Sequence, residues 1–369
     1  MRVLIVDTYY SAFLSTLYAQ HPDLALQPYS EQWRALMDQC FGTADFYSSN
    51  LIALGHEATE VVVNCEALQR RWAKEKGVKL DCWILTRRAG VIPWPQYVHS
   101  NAWFYAVLAA QVKDYGPDVL HVQDMNGTSA AFLRDVRPYV KLITGQIACP
   151  LAPDADFREY DLVLSSFPHF VDQFRSNGLR SEYFNLGFEP RLLERLQKGP
   201  QHHVVFVGGL SSEHAERIRF LEHISASQPV DIWGYGFDSL DENSVLRRFH
   251  HGELWALDMY QVLYNASIAL NNHISAAGRY ANNMRLYEAT GVGTMLITDS
   301  KDNLTTLFEV GKEVVAYHSP EEALELIDYY LEHEEERKAV AQAGQARTLR
   351  EHTYHHRMEE FLDIVSDYL

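Results

Sequence analysis

The chain consists of two successive series of short, nearly all-apolar runs, and segments with helical spacing separate most of these runs. In the first series RVLIVD (2–7), TEVVVN (59–64), LDCWIL (80–85), DVLHVQ (118–123), VKLITG (140–145) and DLVLSS (161–166) read as strands. In the second, HVVFVG (203–208), VDIWGYG (230–236), SIALNN (267–272), TMLITD (294–299) and EVVAYH (313–318) do the same, with helices near 212–224, 253–264, 283–291 and 302–309. Strands that are apolar on both faces and alternate with helices require a parallel sheet covered on both sides. The expected architecture is α/β, with two doubly wound units facing each other across a cleft. The polar, basic stretch RLLERLQKGPQHH (191–203), broken by Gly199-Pro200, places the linker between a unit at 1–190 and a second at 200–352.

The end of the chain is helical almost throughout, and Met358, Phe361, Leu362 and Val365 fall on one face of the last helix. That helix, within 353–369, either packs on its own unit or crosses back to brace the first. The 369 residues suffice for two domains, and 32 basic against 49 acidic side chains leave a net charge of −17. Such an excess of carboxylates argues against nucleic acid or an anionic bilayer as the main partner, while a small anionic ligand in a locally basic pocket stays compatible. Cys40, Cys65, Cys82 and Cys149 form no C-x-x-C pair, so a reducing, cytoplasmic setting is expected. No apolar stretch approaches the roughly 18 residues of a membrane span.

In open α/β sheets ligands bind beyond the carboxyl ends of the strands, so the chemistry is sought in those loops. After HVVFVG comes Gly208-Gly209-Leu210-Ser211. This is either a glycine turn whose amides approach a phosphate at a helix N-terminus or simply a tight connection. It matches neither the dinucleotide fingerprint nor a P-loop. In the segment from Gly278 to Gly293, Asn282 and Asn283 precede a helix that carries Arg285 and Glu288 one turn apart. A guanidinium and a carboxylate so placed suit a nucleotide sugar: one takes diphosphate oxygens, the other accepts the ribose hydroxyls. The same spacing also describes an ordinary surface ion pair.

In the first unit Asp7, Tyr9 and Tyr10 follow one strand, and His121 and Asp124 lie at the end of another, where an acceptor would sit. His121 alternates with buried positions and reads equally as a core histidine. The aromatics between 9 and 50 are either core or an acceptor surface. Asp154-Ala155-Asp156 lies in a Pro-flanked loop, and His56-Glu57 lacks the second histidine of a zinc motif; no metal is expected.

RYANNMRLYEATGVGTMLITD, together with the downstream FEVGKEVVAYHSPEEALELIDYYLEHEEERKAVAQAGQARTLREHTYHHR, resembles the C-terminal half of the CgeB-type family, spore-protein glycosyltransferase-like proteins within the retaining GT-B glycosyltransferases. The resemblance covers roughly residues 200–368. It implies a GT-B fold of two facing Rossmann-like domains and transfer of a sugar from a nucleotide diphosphate donor to a glycan, protein or small-molecule acceptor, with the nucleotide sugar as co-substrate and no other cofactor. Glu288 would hold the donor ribose. Arg285 and the amides of Gly208, Gly209 and Gly278 would hold the diphosphate. The first glutamate of the Glu-x7-Glu motif falls at Tyr280, so the sugar contact it usually makes passes to Arg279, Asn282 or Asn283. A nucleotide-sugar 2-epimerase on the same scaffold, or a non-catalytic binder, would be the alternative.

Overall fold

The computed structural model describes residues 1–80, 83–85, 95–97, 102–153 and 155–369. The front half contributes β1 (Arg2–Asp7), β2 (Glu57–Val62), β3 (Trp83–Leu85), β4 (Pro95–Tyr97), β5 (Val119–Val122), β6 (Leu142–Gln146), β7 (Leu162–Ser165) and β8 (Ser181–Tyr183). The rear half contributes β9 (His202–Val207), β10 (Asp231–Trp233), β11 (Ala266–Asn271), β12 (Met295–Asp299) and β13 (Val315–Tyr317). In the front sheet the order is β2-β1-β5-β6-β7-β8, and in the rear sheet β10-β9-β11-β12-β13. Every pairing in both is parallel. Strand order reverses at β1/β5 and at β9/β11, and a crevice opens where helices leave such a reversal toward opposite faces.

Two elements differ from the sequence-based expectation. The run LDCWIL does not join the front sheet: its described part, β3, pairs antiparallel with β4 as a separate ribbon. β8 occupies the front sheet's edge with the sequence SEY, too short and polar to register as a strand by periodicity. A strand whose side chains serve one edge need not carry the apolar signature of a central one.

The apolar core does not stop at the lobe boundary. Val3 and Ile5 of β1, Phe46 and Tyr47 of the helix Phe46–Ala53, and Leu263 and Ala289 of the rear lobe belong to one continuous buried cluster. The helix Tyr354–Ser366 joins it through Tyr354, Met358, Phe361 and Val365. Its rings lie on the front lobe, with Tyr354 centred 5.3 Å from Phe46 and 5.5 Å from Tyr47. The chain therefore passes between the lobes twice, and the two passages run side by side. Phe188 donates its N–H to His352 O at 2.8 Å, and Tyr354 donates back to Phe188 O at 2.9 Å. Arg357 fastens the crossing by donating from Nε to Leu186 O at 2.8 Å.

Glu60, on β2, is buried and accepts from Ser48 N at 2.8 Å and Ser48 Oγ at 2.6 Å. Burial, only partly offset by those donors, pushes its carboxyl up to about 8. A raised folded-state value favours the protonated form, so stability is full below the ordinary value and is lost as pH rises toward 8. Glu60→Gln is therefore expected to unfold at the wild-type temperature near about pH 5 and at a higher one near about pH 9. Thermal melts at the two pH values check this, and a gap that does not widen refutes it.

Candidate functional site

Between the sheets lies a cleft of about 600 Å³, walled by the loops after β1, β5, β6, β9 and β11 and by the start of the helix Met284–Gly291. Asn283 caps that helix, accepting from Leu286 N at 3.2 Å while its amide donates to Asn271 Oδ1 at 2.8 Å. Asn271 in turn donates to Thr298 Oγ1 at 2.9 Å. Side chains at the ends of β11 and β12 thus fix where the helix begins, and with it the direction of Arg285 and Glu288.

Both of those side chains line the cleft, and both are largely withdrawn from water. Arg285 Nη1 stands 3.0 Å from Glu288 Oε2, and its Nη2 donates to Val207 O at 3.2 Å. The ion pair is not an aligned hydrogen bond: among the described residues Arg285 Nε and Nη1 have no hydrogen-bond acceptor. Tyr260 donates to Glu288 Oε1 at 3.3 Å. Burial raises the Glu288 carboxyl above its ordinary value, opposed by Arg285 and Tyr260. The pair is neither exposed nor saturated, which separates it from a surface salt bridge.

Arg217, from the helix Ala215–Ser225, also reaches this wall. Its Nη1 donates to Gly209 O at 3.1 Å and its Nη2 to Asn272 O at 2.8 Å. Nε has no acceptor among the described residues. Two guanidiniums therefore converge on one end of the cleft. Nothing in the spacing of Arg217 distinguishes it from any helix arginine, and the sequence reading passed it over.

Several expected site residues lie elsewhere. Gly208 does line the cleft, but its amide already donates to Trp233 O at 2.9 Å, and Gly209 is buried outside the lining. A Cβ at Gly234 would stand 1.8 Å from Gly208 O, so the glycines here serve the close passage of β9 and β10. Gly278 is exposed, with its carbonyl taken by Lys301 Nζ at 2.8 Å. Arg279 points to solvent and pairs with Asp302. Neither lines the cleft. Tyr280 stacks on His169 of the front lobe, ring centroids 5.6 Å apart at 11°. Asn282 does reach the cleft, where its Nδ2 donates to Asn185 Oδ1 at 2.8 Å.

On the front wall His121 is a core residue: fully buried, it lies within hydrogen-bonding distance of Thr144 Oγ1 at 2.9 Å and Gln146 Oε1 at 3.2 Å. Burial holds the imidazole down to about 4, and it has no place in the cleft. Tyr9 is likewise buried, packed on Phe13 and Phe41. Asp124 lines the cleft with one oxygen accepting from Thr8 Oγ1 at 2.6 Å and the other from Gly127 N at 2.9 Å. Asp7, at the end of β1, accepts from Thr8 N at 2.8 Å. Burial pushes the Asp7 carboxyl up to about 7, the Thr8 amide opposing and the Asp124 charge adding. Asp156 pairs with Arg158 at 2.8 Å, and Asp154 lies outside the described residues.

Tyr10 meets the rear lobe at the cleft rim. Its ring centroid is 5.1 Å from Trp255 and 5.7 Å from Tyr235, which themselves stack at 5.9 Å. The aromatics near the N-terminus are thus partly core and partly a contact across the cleft.

With this geometry in view, the likenesses to other proteins can be placed. Residues 216–363 match the family model described as glycosyl transferase-like. No curated protein matches the chain in sequence. The Anabaena protein HepE, solved with UDP-glucose, superposes with a TM-score of 0.58 over 100% of both chains at 13% identity. Sucrose-phosphate synthase from Thermosynechococcus elongatus gives 0.56 over 100% of this chain and 99% of that one, at 10% identity. A UDP-N-acetylglucosamine 2-epimerase structure from Listeria monocytogenes gives 0.51 over 100% and 96%, at 13% identity.

The chain has the GT-B fold.

In this GT-B chain the rim aromatics tie the lobes together on the open side. An aromatic pair contributes about 0.5–1.5 kcal/mol beyond its buried area. Trp255→Ala is expected to shift the molecule toward open forms by roughly threefold to tenfold in population. Small-angle scattering would register this as a larger radius of gyration, and an unchanged profile would refute it.

Proposed function

We propose that the protein is a glycosyltransferase that uses a nucleotide diphosphate sugar as donor, with a uridine nucleotide as the first choice. The observation that carries the reading is the buried, unsaturated Arg285–Glu288 pair facing the cleft, with Arg217 beside it. Two guanidiniums neutralise a diphosphate as the glycosidic bond breaks, and they do so in a site that lobe closure shields from water. The Glu288 carboxylate accepts the ribose hydroxyls. The match of residues 216–363 to a glycosyl transferase-like model supports this reading, as does the likeness to a GT-B protein solved with UDP-glucose. The finer placement within the CgeB-type family rests on the segment RYANNMRLYEATGVG. Free Cys40, Cys65 and Cys149 fit work in the cytoplasm.

Glu288→Gln keeps the shape of the side chain but removes its charge. It is expected to weaken UDP binding roughly tenfold. Calorimetry that finds the affinity unchanged removes the donor assignment. Incubation with UDP-glucose alone separates the epimerase alternative, since an isomerase would convert the donor without an acceptor.

The transfer is proposed to retain anomeric configuration, the departing phosphate taking the proton of a hydroxyl on a glycan, protein or small-molecule acceptor. One observation favours a second course. Asp7 sits on the acceptor wall with its carboxyl pushed up to about 7, a value suited to a general base. Under inversion Asp7 takes the acceptor proton as the hydroxyl oxygen bonds the anomeric carbon, opposite the leaving diphosphate. The first course predicts a retained product and little loss in Asp7→Asn. The second predicts an inverted product, a roughly hundredfold or greater loss in Asp7→Asn, and activity that falls as pH drops below about 7. The anomeric coupling in the product's proton spectrum decides between them.

A further inference from the structure

Besides the guanidinium nitrogens of Arg217 and Arg285, two polar atoms on the rear wall of the cleft have no partner among the described residues: His273 Nε2 and Asn282 Oδ1. Both side chains line the cleft, and both residues are more than nine-tenths buried, at 6% and 2% exposure. A buried polar atom left unpaired costs free energy, so native structures hold few without a ligand or water to complete them. His273 follows β11, Asn282 precedes the helix Met284–Gly291, and the two share one cleft wall.

The hydrogen-bonding sense of each atom follows from what its side chain already does. His273 Nδ1 lies 2.7 Å from Asp299 Oδ1, which also accepts the His273 backbone N–H at 3.1 Å. Burial pushes the Asp299 carboxyl up, but the hydrogen bond and charge of His273, together with the charge of Lys301, outweigh this and hold it below the usual range. Lys301 Nζ is 3.3 Å from the other Asp299 oxygen. Asp299 Oδ1 faces Nδ1 as an acceptor, and in the tautomer that carries its hydrogen on Nδ1 the lone pair lies on Nε2. Asn282 donates one amide hydrogen to Asn185 Oδ1, and its carbonyl oxygen has no partner among the described residues. Both vacancies are acceptors.

Acceptors fit hydroxyls and do not fit phosphate oxygens, which bring no hydrogen at neutral pH. The phosphate donors on the same wall are the free N–H groups of Arg217 and Arg285. Tyr280 and Arg279, two further side chains of this loop, are committed to His169 and Asp302. We infer that His273 Nε2 and Asn282 Oδ1 accept hydrogen bonds from hydroxyls of the transferred sugar, Asp299 and Lys301 holding the imidazole in the required tautomer. The inference rests on the nucleotide-sugar reading and deepens it: the donor is a sugar with free ring hydroxyls, read by an imidazole and an amide.

The test is calorimetry of the full chain with UDP, UDP-glucose and UDP-glucose analogues each lacking one sugar hydroxyl. Wild type should bind at least one analogue roughly tenfold to a hundredfold more weakly than UDP-glucose. His273→Ala should lose that discrimination for one hydroxyl and Asn282→Ala for another, while UDP binds wild type and both variants within about twofold. Retained UDP binding also certifies that the variants fold. The same discrimination in variants and wild type, or equal weakening of UDP and UDP-glucose, overturns the subsite while leaving the nucleotide reading standing. A wild-type chain that binds neither UDP nor UDP-glucose overturns the uridine-nucleotide donor, and the subsite argued on it.

Discussion

Everything in the cleft depends on a dry apolar core that runs unbroken from one lobe into the other. A helix made of the chain's last residues, with Tyr354, Met358, Phe361 and Val365 on its buried face, fills the junction against Phe46 and Tyr47. Packed there, it helps hold the carboxyl ends of one sheet opposite those of the other. Close packing is intolerant of even small volume changes, so this junction acts as a rigid base while the rim aromatics, fewer and partly exposed, form the side that can open.

On that base the chemistry divides by lobe. The rear wall gathers guanidiniums, the paired carboxylate and two unmet hydrogen-bond acceptors. The front wall gathers Asp7, Asp124 and amide side chains. Cations that suit a leaving diphosphate and carboxylates that suit a hydroxyl-bearing acceptor thus face each other across the space where a sugar would pass. The division is carried by the loops after the strands on the front wall and, on the rear wall, also by two helices, Ala215–Ser225 with Arg217 and Met284–Gly291 with Arg285 and Glu288.

Most of the fold was legible because burial on both faces leaves an uninterrupted apolar run, and runs alternating with helical spacing admit few arrangements. β3 was misassigned to the front sheet because an apolar run encodes burial and not its partner. β8 was missed because an edge position asks little of its side chains. Arg285 and Glu288 were found because helical spacing ties them together locally. His121 was placed in the cleft wrongly: a polar side chain at a strand end looks the same whether Thr144 and Gln146 satisfy it inside or a ligand does outside. His273 and Arg217 were invisible for the converse reason. Their partners lie 26 and 55 residues away, and no local pattern records such meetings.

The paired passage of Phe188 beside His352 and Tyr354 has a topological meaning. The rear lobe is not simply appended to the front one; it interrupts it, entering and leaving through a single doorway one hydrogen bond wide. The two passages run parallel, Phe188 bridging Thr353, so the chain leaves the front lobe and re-enters it in the same direction.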